Sequence, residues 1–154
     1  MNDFDRLEEI ERKTGKVVEM TKDIEGRLDD IILEYITPKN MGFTRDIVLN
    51  SSLISLGNKV KILKNICDQL NEEQDFKDLH KLVNIRNIFA HGKPFVEGED
   101  EIFRLFKIEG DGKTSTNELD TLHAEFINLF NQQMQMLIKL HSKIKGADKS
   151  FSLG

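Results

Sequence analysis

Cysteine is almost missing from this chain: Cys67 is the single one among 154 residues. That excludes a disulfide within the chain and any CxxC metal knuckle. Cys67 falls between Ile66 and Asp68 in a helical pattern, where a buried thiol without a chemical role is expected. Long apolar runs are missing too, since none approaches the ~18 residues that a membrane span requires. The opening Met1-Asn2-Asp3-Phe4-Asp5 lacks the basic-then-apolar layout of a secretion signal, so a cytoplasmic protein with no membrane partner is expected. Nor does one sign of charge dominate. With 27 acidic and 22 basic residues the net charge is −5, which describes a mixed, solvated surface, and any nucleic-acid site must be local. Internal repeats and low-complexity tracts are absent.

What the chain does have is helical periodicity. Leu7, Ile10, Thr14, Val17, Thr21, Ile24, Leu28, Ile31 and Tyr35 follow one another in steps of three and four, which predicts one long helix with a single apolar stripe. Its near-heptad spacing suits shallow-angle packing in an up-and-down bundle. Pro38 ends it by disfavouring a helical conformation at Thr37. A short helical stretch is expected near Thr44 to Leu49, then a stronger helix from about Ser52 to Leu70. In that helix Leu53, Leu56, Val60, Leu63 and Leu70 face inward and Gly57 permits a close backbone approach. A further helix is expected from about Glu72 to His91, stopped by Gly92 with Pro94 two residues on.

Beyond Gly92 the period changes. Ile102, Arg104, Phe106 and Ile108 alternate with Phe103, Leu105 and Lys107, and Glu109-Gly110-Asp111-Gly112 follows as turn chemistry, which predicts a small β-hairpin near residues 100–116. A last helix is expected from Thr116 or Asn117, with Leu119, Leu122, Phe126, Leu129, Met136, Leu140 and Ile144 inward. The fold class expected is therefore all-α, an up-and-down bundle of about five helices with one hairpin insertion. Residues 1–146 would form a single domain and 147–154 a flexible tail.

Two features of the fourth helix point to chemistry. Projected at 100° per residue, Arg86 falls among Leu79, Leu82, Phe89 and Ala90, inside the apolar arc. A guanidinium there cannot shed its proton and must reach a carboxylate, carbonyls, a groove or a phosphate. The structural alternative is an arginine bonded to helix-end carbonyls or to Glu34 or Asp68. On another edge His80, Asn84, Asn87 and His91 form an uncharged polar stripe suited to an interface or cleft. Arg86 and His91 are five residues apart, about 140° of rotation on a regular helix, so they do not share a face. Either His91 leaves helical register before Gly92, or two copies of the chain each contribute to one cleft, and the second is favoured here. His91 could equally be a C-terminal cap held by the helix dipole.

The string Arg86-Asn87-x-x-Ala90-His91 resembles the arginine, polar residue, histidine signature of the HEPN superfamily (higher eukaryotes and prokaryotes nucleotide-binding domains). Residues 25–145 are similar in layout to its mannitol-repressor-type branch. The resemblance implies a helical bundle, a homodimer with facing motifs, and metal-independent endoribonuclease activity on tRNA or mRNA. Toxins and antiphage-defence effectors of this kind are held by a cognate antitoxin or regulatory protein. It assigns His91 to proton transfer, Arg86 to charge on the phosphate, and Asn87 to orienting backbone or imidazole. The alternative it allows is a non-catalytic interaction or regulatory module, such as a transcriptional corepressor.

Lys81, Lys93 and Asn84 are candidate RNA contacts beside the motif, and Lys59, Lys61, Lys64 and Lys77 could add phosphate contacts. Acidic residues are interleaved among these lysines, however, and a solvated face is the simpler reading. His80, His123 and His141 are weaker candidates, expected at the surface or an interface. None has a carboxylate at metal-site spacing, so no metal and no cofactor is expected.

Overall fold

The computed structural model describes residues 3–99 and 101–149. The protein is mainly helical. Helix α1 spans Asp3–Ile36, α2 Met41–Phe43, α3 Leu56–Gln69, α4 Lys77–His91 and α5 Leu119–Lys145, and a π-helical turn, Thr44–Val48, follows α2 directly. Three strands, β1 Lys93–Glu97, β2 Ile102–Ile108 and β3 Thr114–Glu118, form one antiparallel sheet in the order β1-β2-β3. The all-α expectation is thus too narrow, and the single hairpin is in fact a three-stranded meander.

The extra strand follows from pairing rather than from its own sequence. Lys93–Glu97 carries Pro94, a residue tolerated on sheet edges, and it pairs across β2 with Lys93 opposite Phe106 and Phe95 opposite Arg104. Turns with left-handed residues join the strands, at Gly98 and Glu101 on one side and Gly112 on the other. The expected turn at residues 109–112 is present, with the Glu109 N–H donating to the Lys113 carbonyl at 2.7 Å. Thr114–Glu118 occupies the far edge of β2, so α5 begins at Leu119 rather than at Thr116 or Asn117.

Local capping explains the other shifted boundaries. The Ser55 hydroxyl accepts the Asn58 N–H at 3.3 Å and starts α3 at Leu56, three residues after Leu53. Leu53, expected inside, is 66% exposed. Asn50 holds the preceding turn through the backbone N–H and hydroxyl of Ser52. The Asp75 carboxylate accepts the Lys77 N–H at 2.8 Å, so residues 72–76 precede α4 instead of forming its first turns. Gly57 faces open space and makes no close backbone approach.

The described residues group into two compact units. Residues 1–22 and 81–130 form the first. Its buried apolar residues include Val17, Leu82, Phe89, Leu105, Leu122 and Phe126. Thr21 is buried there too, its hydroxyl satisfied by the Val17 carbonyl at 2.7 Å. Lys13, also buried, pairs with Glu9 and Asp120.

Residues 23–80 and 131–149 form the second unit, with Ile24, Leu28, Ile31, Leu63, Leu79 and Leu137 fully buried. Lys59 is fully buried as well. Its ammonium lies 2.7 Å from Glu25 and 2.8 Å from Asp29, so it cannot belong to a phosphate-binding face. The tail expected to be flexible lies partly outside the described residues, which end at Lys149.

Candidate functional site

The conserved geometry of an α-helix carries α4 without interruption to its last residue, His91. The helix stops at Gly92, whose N–H donates to the Ile88 carbonyl at 2.7 Å. A side chain at Gly92 would collide with that carbonyl oxygen and press on Leu105 of β2. Glycine is therefore required for space, not for a left-handed turn, and its closeness to β2 sets the sheet against the end of the motif helix.

Because α4 stays helical through His91, that residue does not swing out of register. Arg86 and His91 remain about 140° apart around the axis, and one chain does not turn both onto one face.

Arg86 is half-buried between turns that bury Leu82 and Phe89. Its guanidinium Nη1 donates to Oδ1 of Asn87 at 3.0 Å, and no carboxylate or helix-end carbonyl is bonded to it among the described residues. The alternatives of a bond to Glu34 or Asp68 are not realised, and Glu34 is instead paired with Lys149 at 2.9 Å. Asn87, expected to orient backbone or imidazole, has its side-chain oxygen bonded to that guanidinium.

His91 is exposed and opens into a hollow of about 210 Å³ lined by Lys93, Phe106, Lys107 and Ile108. Lys93 has no ion pair among the described residues, while Lys107 is tied to Glu109 at 3.0 Å. One imidazole, one unpaired ammonium and an apolar floor thus meet in an open concavity. Such a set can hold a phosphate beside a flat apolar group.

Of the other candidates, Asn84 is exposed, and Lys81 is exposed but ion-paired with Glu125. Phe106, Lys107 and Ile108 were missed by sequence reasoning. The available signal was the one-residue link, Gly92, between His91 and the segment that starts at Lys93, which brings any antiparallel neighbour of that segment beside the imidazole.

His123, expected at the surface or an interface, is half-buried. It packs edge-on against Phe89 with ring centroids 6.2 Å apart, and its buried Nε2 has no hydrogen-bond partner. Burial, reinforced by the charges of Lys13 and Arg12, lowers its pKa from the ordinary histidine value. Cys67 is buried, and its thiol is pushed up to about 11 by burial and by Glu72 and Asp68, which leaves it unreactive. Among the described residues no group of three or more His, Cys, Asp or Glu side chains could hold a metal ion, and no helix is long and apolar enough to cross a membrane.

Compared with family models, curated proteins and solved structures, the chain matches none of them.

Proposed function

We propose that the chain is a metal-independent endoribonuclease of HEPN type, acting at a site shared across a homodimer, in the role of a toxin or antiphage-defence effector. The observation that carries this reading is the placement of the motif side chains. His91 stands exposed at a hollow of about 210 Å³ that it shares with Lys93, and among the described residues Lys93 has no ion pair and the Arg86 guanidinium is bonded to Asn87 and to no carboxylate.

In the reaction an RNA 2′-hydroxyl attacks the adjacent phosphorus, the 5′-oxygen leaves, and a 2′,3′-cyclic phosphate remains. His91 exchanges the proton with the attacking or leaving oxygen. Arg86 of a second copy stabilises the charge that builds on the non-bridging oxygens, and Asn87 keeps that guanidinium extended. Lys93 holds the flanking phosphate. DNA lacks the internal nucleophile and is not cut.

The test is incubation of purified protein with tRNA and with mixed-sequence RNA in the presence of EDTA, comparing wild type with folded Arg86→Ala and His91→Ala. Discrete cleavage that leaves cyclic phosphate ends and disappears in both variants is the expected result. Cleavage that survives both changes sinks the site.

A second reading, a non-catalytic regulatory module of the corepressor kind, is favoured by charge. The chain carries −5, and a hollow of about 610 Å³ is rimmed by Asp68, Glu72, Glu73 and Asp75, which repel a polyanion. RNA left intact by a well-folded protein would favour it.

A further inference from the structure

One 18-residue stretch of the second unit leaves six of its apolar residues in water, and Leu49 is the apolar residue it buries. Ile36, Met41, Phe43, Ile47, Val48 and Leu53 are all exposed, from 39% at Val48 to 66% at Leu53, and within α2 and the π-helical turn no residue is buried. Apart from Thr44, Arg45 and Asp46, the residues of α2 and the π-helical turn are apolar or glycine. Together the six exposed residues present apolar surface on the order of 500 Å², in the range of roughly 300–600 Å² of a monomer's largest and often functional patch, against the roughly 800 Å² that each partner contributes to a stable interface.

Beside the stretch, and sharing Ile36 with it, is a hollow of about 350 Å³ lined chiefly by Tyr35, Ile36, Ile62 and Ile66. We infer that this face is the surface on which a second copy of the chain docks, each copy placing Phe43 or Leu53 in the hollow of the other. Knob and hole on the same unit make the surface self-complementary, which is the requirement for a two-fold dimer.

Charge selects the same occupant. Between residues 36 and 53 the ionisable side chains are Lys39, Arg45 and Asp46, and Arg45 is held by Asp30 at 2.9 Å. Two copies of a chain of net charge −5 therefore meet where neither brings an acidic cluster. A membrane surface or a polyanion would call for a basic face, which the stretch lacks. The inference shares with the ribonuclease reading the second copy, but no residue of its site.

Sedimentation of the full chain at micromolar concentration tests it, comparing wild type with Phe43→Asp, with Leu53→Asp and with Ile62→Trp, which fills the hollow from α3. Wild type is expected at twice the chain mass. Each variant, with unchanged helical circular dichroism, is expected to weaken the dimer roughly 30-fold or more. Val96→Asp, at an exposed apolar residue of β1 that lines a hollow with Leu7, Ile10 and Phe103 of the first unit, serves as a control and leaves the dimer intact.

A monomeric wild type overturns the inference, as do folded Phe43 and Leu53 variants that dimerise normally, or dissociation by Val96→Asp in place of them. Binding of the wild type to anionic vesicles, abolished by Phe43→Asp while no dimer forms in solution, would assign the surface to lipid and also overturn it. If Phe43→Asp dissociates the dimer while RNA cleavage continues, the docking face stands and the shared catalytic cleft falls.

Discussion

The Arg86 guanidinium donates a hydrogen bond to the side-chain oxygen of its neighbour Asn87, 3.0 Å away, which ties the charged head to an adjacent polar side chain. Asn87 is in this sense a positioning residue. Asn87→Ala removes one neutral acceptor from a charged donor, worth about 1.5–3 kcal/mol, and single-turnover cleavage is expected to fall at least about tenfold with little change in RNA affinity. Asn87→Asp keeps the acceptor but neutralises the charge Arg86 would offer a phosphate, and activity should stay low. Equal activity in all three forms would remove Asn87 from the mechanism.

The 140° between Arg86 and His91 has a consequence for mixtures of inactive proteins. If each cleft takes its arginine from one copy and its histidine from the other, an Arg86→Ala/His91→Ala heterodimer keeps one whole cleft out of two. Co-refolded equal amounts of the two variants should then recover about a quarter of wild-type activity, since half the dimers are mixed. No recovery, with mixed dimers shown by mass spectrometry, would place the site within one chain.

Lys59 is fully buried with Glu25 and Asp29 on either side. Lys59→Met leaves two carboxylates facing apolar surroundings without their cation, and urea unfolding is expected to show a loss on the order of 3–5 kcal/mol. Replacing all three by apolar residues of similar volume should restore most of it. A Lys59→Met protein as stable as wild type would show that water reaches the pair and solvates it.

His123 links stability to pH. Its folded pKa lies below the 6.5 of a free imidazole, so between those values the unfolded chain binds more protons than the folded one. Stability should be complete above 6.5 and fall as the pH drops through the folded value. The His123→Phe variant, which keeps the ring against Phe89, should flatten this part of the profile in thermal melts across mildly acidic pH. A slope unchanged by the substitution would assign it to other groups.

Much of the helical framework is legible in the order of residues. Val17, Ile24, Leu28 and Ile31 repeat at a spacing that only a helix can turn to one side, and all four are buried. Gly92 after His91 marks the end of α4 correctly, although the reason is crowding by Ile88 and Leu105, not backbone handedness. Starts of helices were harder to read. Ser55 and Asp75 are each capable caps, but so are Ser51, Ser52 and Asp78, and the choice rests on which side chain meets a free N–H.

Sequence by itself determined what depends on neighbours a few residues away: the long helices, their apolar stripes, the stop at Gly92, the turn at residues 109–112, and the angle that keeps Arg86 and His91 apart. Tertiary structure alone decided the third strand, the hollow that joins His91 to Lys93 and Phe106, the burial of Lys59, the packing of His123 against Phe89, and the exposure of Leu53. The division is physical. Helical periodicity and end signals arise from hydrogen bonds and side-chain contacts four residues apart, whereas strand pairing, burial of a charge and the lining of a cavity need partners tens of residues distant, which a local pattern does not name.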